Sequence, residues 1–279
     1  MAAGAARGGQ IVAVGNLKGG TGKSTLAVNL ACAMASSGRE VVLIDADPQG
    51  TALIWAAAGR LPVRVEPLVA AHLGEVGRWM QRLELLRRRH ALVVLDLPSV
   101  MAPALATACL VASLVLVPSA SSFVDVAGTR RMLRHIETAR RERPHRPPAV
   151  LLVPSRVIDF DAGFAALESG LAALGEPVGP PLRLRAAHEQ AFRSGRWVGD
   201  LAPGSAAHLD VMGVADAALE LLEQAARRPA AMPAARAPEP APAMEERIAA
   251  AHREALSLGG RPASETWWRR LVPTRLKVA

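Results

Sequence analysis

Only three lysines occur in this chain, and two of them, Lys18 and Lys23, stand five positions apart in VGNLKGGTGKSTLAVNL, residues 14–30. Positive charge elsewhere is carried almost wholly by arginine. A lysine ammonium is a compact point charge with three rotatable donors, well suited to phosphate oxygens. The surrounding glycines reinforce that chemistry. Gly15-Asn16-Leu17-Lys18-Gly19-Gly20 leads into Thr21-Gly22-Lys23-Ser24-Thr25, approaching the phosphate-loop pattern G-x-x-x-x-G-K-[ST] between a hydrophobic strand and a helix. Glycines let the backbone curl so that successive N–H groups face inward, and a helix N-terminus adds a favourable dipole. On this reading Gly19, Gly20, Thr21, Gly22, Lys23, Ser24 and Thr25 wrap the phosphates of a nucleotide. Lys23 reaches the β- and γ-phosphates, and the Ser24 hydroxyl is a ligand for Mg²⁺. Lys18, at the start of the loop, cannot easily fold back onto phosphates cradled by its own chain.

Carboxylates end two further apolar runs: Asp45 and Asp47 in VVLIDADPQG, and Asp96 in LVVLDLPS. Strand-end carboxylates suit Mg²⁺ and water. With KGGTGKST as a deviant Walker A motif, these stretches resemble the ParA/MinD family of ATPases, and SSFVDVAG adds a MipZ-like feature. The resemblance spans roughly residues 10–224 and implies ATP and Mg²⁺ as cofactors. It implies that Lys18 crosses a dimer interface to the nucleotide of the other subunit. It makes Lys18, Lys23 and Asp47 the catalytic set, with Asp47 positioning the attacking water. Ser24, Asp45 and Asp96 then form the metal set, Asp45 near the metal shell and Asp96 ordering Mg²⁺ through water. The family often has two prolines after this last aspartate, and Leu97 replaces one. Family members commonly place an asparagine or aspartate after the strand at 149–153 to read adenine; here Ser155 stands near that position.

These residues need a frame to position them. Apolar runs of strand length recur at 10–16, 40–47, 91–98, 113–119 and 149–155, rich in valine, leucine and isoleucine and without alternation. Such runs predict strands buried on both faces. Helical stretches at 23–37, 71–89, 124–141 and 160–173 separate them, and another closes the domain near residue 226. The prediction is an α/β P-loop NTPase fold, a mostly parallel sheet covered by helices on both faces. Residues 1–9 read as a flexible N-terminus and 10–226 as the ATPase domain. Residues 227–263 read as a Pro/Ala-rich linker with a short helix, and 264–279 as a Trp/Arg-rich tail.

The chain has 279 residues, 51% of them hydrophobic, which suits a large globular domain and excludes a disordered one. No apolar run is long enough for a transmembrane helix, and MAAGAARGGQ lacks the apolar core of a signal peptide, so the expected location is the cytoplasm, where the resemblance implies association with the nucleoid. The two cysteines, Cys32 and Cys109, show no metal-ligand spacing. A net charge of +8 fits a polyanionic partner or a merely arginine-biased composition. Arg183, Arg185, Arg193 and Arg196 form the cluster that non-specific DNA binding would use, against the alternative of a solvated charged face. In the tail, Trp267, Trp268 and Leu271 share a helical face opposite Arg269 and Arg270. That pattern fits a weak membrane contact, a partner protein or docking back on the domain. The resemblance implies a sandwich homodimer formed with ATP that binds DNA, positions a plasmid, chromosome or large assembly, and is reset by hydrolysis stimulated by a partner or cargo adaptor. The alternatives are a MinD/MipZ-like division or membrane-surface regulator, a metabolic P-loop synthase, and a metal-cluster ATPase, for which the thiol supply is poor.

Overall fold

A computed structural model describes residues 9–70, 72–120, 123–158 and 162–227. The linker and tail expected from sequence lie outside the described residues, with Trp267, Trp268, Arg269, Arg270 and Leu271 among them. The described residues include seven strands: β1 Gln10–Val14, β2 Val41–Asp45, β3 Arg64–Pro67, β4 Leu92–Asp96, β5 Leu114–Ser119, β6 Ala149–Val157 and β7 Leu182–Arg183. They form one sheet in the order β3-β2-β4-β1-β5-β6-β7, and every pairing is parallel. The helices are α1 Lys23–Ser36, α2 Thr51–Ala56, α3 Val76–Arg89, α4 Pro103–Val111, α5 Phe123–Glu142, α6 Ala162–Ala172, α7 Ala186–Ser194, α8 Val198–Leu201 and α9 Ala206–Arg227.

The unbroken apolar strands follow from having a helical layer on each side. In β1, Ile11 and Ala13 join one core with Trp79 and Leu83 of α3, Leu105 of α4, Met132 and Ile136 of α5, and Leu171 of α6. Val12 and Val14 face the opposite core, with Leu26, Leu30 and Met34 of α1, Trp55 of α2, Val198 of α8, and Val211 and Leu222 of α9. Helix α1 is buried without interruption from Leu26 to Met34 because it lies between the sheet and α9. An all-round apolar helix is what such a position requires.

The strand order decides where the chemistry gathers. From β1 the chain crosses to β2 and β3, returns to β4 beside β1, and only then continues to β5 on the other flank. The carboxyl end of β1 is thus a switch point between two halves of the sheet, where ligands of such folds gather. Register places Val14 beside Asp96 and Asp96 beside Asp45. Among the described residues no helix is long and apolar enough to cross a membrane.

Candidate functional site

The chain leaves β1 into the glycine-rich loop with its backbone still held by the neighbouring strands. Gly15 N–H donates to Leu116 O at 3.0 Å, and Leu97 N–H donates to Val14 O at 3.0 Å. The second bond explains the leucine that replaces a proline in the motif, because proline has no N–H to give. Asn16, fully buried, then ties the loop to the far half of the sheet. Its Nδ2 donates to Pro118 O at 2.8 Å and to Thr129 Oγ1 at 3.0 Å, and its Oδ1 accepts from Lys18 N–H at 3.2 Å. Lys18 follows with its Cβ 3.0 Å from where a Cβ on Gly128 would stand, so a glycine in α5 makes room for the lysine stem. Its ammonium has no hydrogen-bond or ion-pair partner among the described residues.

Gly20 and Gly22 adopt φ of 77° and 85°, left-handed values that L side chains rarely take. They turn the chain directly into α1, whose N-cap is Gly22 and which no side chain caps. The first N–H groups of this helix and its dipole are therefore directed at whatever occupies the loop. Lys23 is only 6% exposed. Its Nζ donates to Ser99 Oγ at 2.5 Å and to Lys18 O at 3.4 Å. Burial holds its pKa below the usual lysine value, an effect that Asp96 and Asp47 oppose.

The three carboxylates differ in how they are satisfied. Asp96 is fully buried, and neither of its oxygens accepts a hydrogen bond of normal geometry. Burial pushes its pKa up to about 7; the nearby Ser24 hydroxyl lowers it, Asp45 raises it, Lys23 lowers it and Asp47 raises it. Asp45 is equally buried but engaged, with Oδ1 accepting from Asp47 N–H at 3.2 Å and Oδ2 from Leu53 N–H at 3.0 Å. Its pKa is raised by burial and lowered by these backbone bonds, so it fixes the turn into α2. Asp47 is half-buried on that turn, its Oδ1 accepting from Gln49 N–H at 3.0 Å. Among the described residues no group of three or more His, Cys, Asp or Glu is placed to hold a metal ion. An orphaned buried carboxylate beside a serine hydroxyl does fit Mg²⁺, which commonly takes one or two protein oxygens and completes its shell with phosphates and water.

Ser155, expected near the base, lies at the end of β6 against the phosphate loop. It has no exposed surface, its Oγ has no hydrogen-bond partner, and that atom is 2.9 Å from where a Cβ on Gly22 would stand. The end of β6 thus presses on the phosphate loop, which leaves no room for a side chain at Gly22. Arg156, the next residue, stands at φ 56° on a β-bulge, and its Nη1 donates to Gly20 O at 3.0 Å. Asn16, Ser99 and Arg156 are contacts of this loop that sequence reading missed; each is a lone polar residue with no motif of its own.

The four arginines do not act as one exposed cluster. Arg183 Nη1 and Arg185 Nε converge on Asp210, at 2.7 and 2.9 Å from its Oδ1 and Oδ2, and Asp210 is buried. Arg193 pairs with Glu189 at 2.6 Å on the exposed face of α7. Arg196 is exposed, while its carbonyl accepts from Trp55 Nε1 at 2.7 Å. Cys32 and Cys109 are buried in the cores on opposite faces of the sheet, and burial pushes the Cys109 thiol up to about 12.

Comparison with known proteins gives the same assignment. The model of the CobQ/CobB/MinD/ParA nucleotide binding domain matches residues 12–196. The "Maintenance of carboxysome distribution protein A" of Halothiobacillus neapolitanus is 31% identical over 188 residues, covering 66% of this chain and 84% of that protein. A solved Cyanothece McdA variant in complex with ATP superposes with a TM-score of 0.63 at 17% identity, covering 77% of this chain and 97% of that one. The septum site-determining protein MinD of Pyrococcus horikoshii OT3, complexed with Mg-ADP, gives a TM-score of 0.60 at 16% identity over 78% and 99% of the two chains. With the family model matched from the first strand through the last loop before α8, this chain belongs to the CobQ/CobB/MinD/ParA family of P-loop nucleotide-binding proteins.

Proposed function

We propose that the chain is an ATPase of the ParA type that pairs face to face around ATP and positions a large assembly inside the cell. One observation carries the nucleotide half of this reading. A buried carboxylate, Asp96, with no hydrogen bond of normal geometry among the described residues, is electrostatically coupled to a desolvated lysine, Lys23, at the start of a helix that no side chain caps. Left empty, that arrangement is costly; a triphosphate and a divalent cation satisfy every member of it.

Ser24 and Asp96 are the residues that would hold Mg²⁺, which would supply neutralisation of charge on the terminal phosphates. Lys23 gives its ammonium to the bridging region of the β- and γ-phosphates, and the α1 N–H groups hold the chain of phosphates in line. Asp45 keeps the turn after β2 rigid, so that Asp47 presents its remaining oxygen to water. Lys18, with its stem against Gly128 and its ammonium without a partner among the described residues, extends to the nucleotide of a second copy. Catalysis then waits on pairing, which makes hydrolysis a timer. The cargo class follows from the relative whose name refers to carboxysome distribution; a large protein assembly fits it better than a plasmid.

Arg193 and Arg196 are the better placed for phosphate contact with DNA, since both are exposed, Arg193 in a solvated pair with Glu189, whereas Arg183 and Arg185 share the buried Asp210. Such binding is sequence-independent, and each lost phosphate contact flattens its logarithmic salt slope by about 1. The experiment that tests the reading is Mg²⁺-dependent phosphate release from ATP by the purified full chain, with and without duplex DNA. Slow release that disappears on chelation of Mg²⁺ supports it. No release under any condition, with ATP bound, would replace the ATPase with a binding protein.

A further inference from the structure

Five tryptophans occur in the sequence, and the three among the described residues, Trp55, Trp79 and Trp197, are buried in the two cores. Trp267 and Trp268 stand side by side beyond them. At the amino end of the sheet, the pole opposite the phosphate loop, the helix ends that lead into β4, β5 and β6 leave an open groove of about 330 Å³. Ile11 of β1, Leu83 of α3 and Leu110 of α4 line it from the core, and Met80 and Val111 from its partly exposed edge. Such a volume lies at the lower end of clefts that take a small ligand or a large side chain.

Two arginines border the groove, each held in place by a partner. Arg143 Nη1 donates to Leu110 O at 2.8 Å and to Ala112 O at 3.0 Å, and Arg87 Nε lies 3.2 Å from Glu84 Oε2. Bonds of this kind lie in the guanidinium plane and leave its faces to stack on an aromatic ring. An apolar groove edged by flat cations suits an indole better than an aliphatic side chain. The path of the chain points to the same occupant. Gln10 Nε2 donates to Leu222 O at 3.2 Å, so the last turns of α9 reach the amino end of β1, one residue from Ile11. Residues 228–263 then separate the end of α9 from the tail. A flexible chain of that length spans about 30 Å, against a radius of gyration of about 17 Å for a domain of this size. Residues 1–8, MAAGAARG, lead into the same end of β1 but hold no aromatic side chain.

We propose that this groove is the docking surface for the tail of the same chain, residues 264–279, with Trp267 and Trp268 against Met80 and Val111. Burial of indole surface drives the contact, and Arg269 and Arg270 stay in solvent. The groove edge carries Arg87 and Arg143, so charge opposes the docking of a basic tail; salt then leaves the contact intact or tightens it. The groove is remote from the phosphate loop, and the inference does not depend on the nucleotide reading.

The test is acrylamide quenching of tryptophan fluorescence in the dilute full chain, at low and high salt, for wild type and Met80→Lys. The wild type should show no freely quenched fraction at either salt. Met80→Lys, which sets a further cation in the groove, should make two of the five tryptophans freely quenchable. The double variant Trp267→Ala/Trp268→Ala changes no described residue and decides the matter even if Met80→Lys fails to fold. It should speed amide hydrogen exchange in the last turns of α3 and α4 by about tenfold. Tail tryptophans that are freely quenched in the wild type, or that stay protected in a folded Met80→Lys, would overturn the proposal, as would unchanged exchange in the double variant. Protection that appears only at high protein concentration, or only with phosphatidylglycerol vesicles, would give the tail to a second copy or to a membrane and overturn it as well.

Discussion

At the carboxyl ends of β1 and β4, and where β6 presses on the phosphate loop, polar groups are buried without completing one another; beside β7 and at the last turn of α5, charges are buried in pairs. Asp96 keeps two orphaned oxygens, and Ser155 an orphaned hydroxyl, beneath the phosphate loop. On the other flank, Asp210 takes one arginine on each oxygen, and Arg140 grips both oxygens of Glu176, the longer bond being 3.0 Å. Both flanks put charge where charge is expensive, yet only one balances it internally. Paired charges can fix an edge of the fold and need nothing further. Unpaired ones are tolerated where a ligand completes them, and perturbed groups therefore gather at functional sites. The arginines drew notice in the sequence as a charge cluster, but it is the loop that stays electrostatically unfinished.

Substitutions that break this contrast should differ in size and in kind. Lys23→Ala removes a buried cation of the unfinished flank and should lower both nucleotide affinity and ATP turnover by at least about a hundredfold, the usual cost of losing a preorganised charge on phosphate. Isothermal titration and phosphate release would check it.

Asp96→Asn acts through the proton. Asp96 in the folded chain titrates near 7, above its unfolded value of 3.8, so the folded state binds a proton that the unfolded state has lost. Stability without nucleotide or Mg²⁺ must then fall as pH rises from about 4 through 7. Melting curves across that range should show the decline in the wild type and a flatter profile in Asp96→Asn, with a difference of roughly 5–10 °C at the upper end. A wild-type profile that rises through the same window would contradict the burial argument.

On the finished flank the expected effect is smaller and concerns only stability. Asp210→Ala leaves two partly exposed arginines facing each other and should cost about 2 kcal/mol, less than a fully buried pair because both guanidinium groups keep some solvent. ATP affinity, measured at a temperature where the variant is folded, should stay within about twofold of wild type. A large loss of affinity would join the two flanks into one site.

How much of this was legible in the sequence depends on how far apart the interacting residues lie. Strands β1, β2, β4, β5 and β6 could be read because burial on both faces forces an unbroken apolar run. Strand β3, Arg64–Pro67, and the two-residue β7, Leu182–Arg183, could not, since edge strands exposed to solvent carry no such run. The phosphate loop announced itself because its glycines and lysines are consecutive. Ser99 and Arg156 reach the same loop from 76 and 136 positions away, and Asn16 reaches Pro118 across 102. Only the strand order brings them together. The same distance hid a partner of two of the arginines: Asp210 lies 27 residues past Arg183, and it meets Arg183 and Arg185 only once α9 docks. The contact of Ser155 with Gly22 was equally hidden, because β6 runs on to Val157 and brings the serine against a glycine 133 positions earlier in the chain.

The central claim is that ATP fastens two copies of this chain and that Lys18 provides the reach between them. Sedimentation velocity of the full chain with Mg²⁺ and a non-hydrolysable ATP analogue, for wild type beside Lys18→Ala, tests it most directly. The account predicts a monomer without nucleotide, a dimer with it, and a Lys18→Ala variant that still binds nucleotide yet stays monomeric. A wild type that remains single when saturated with nucleotide, or a variant that pairs as well as wild type, would contradict it.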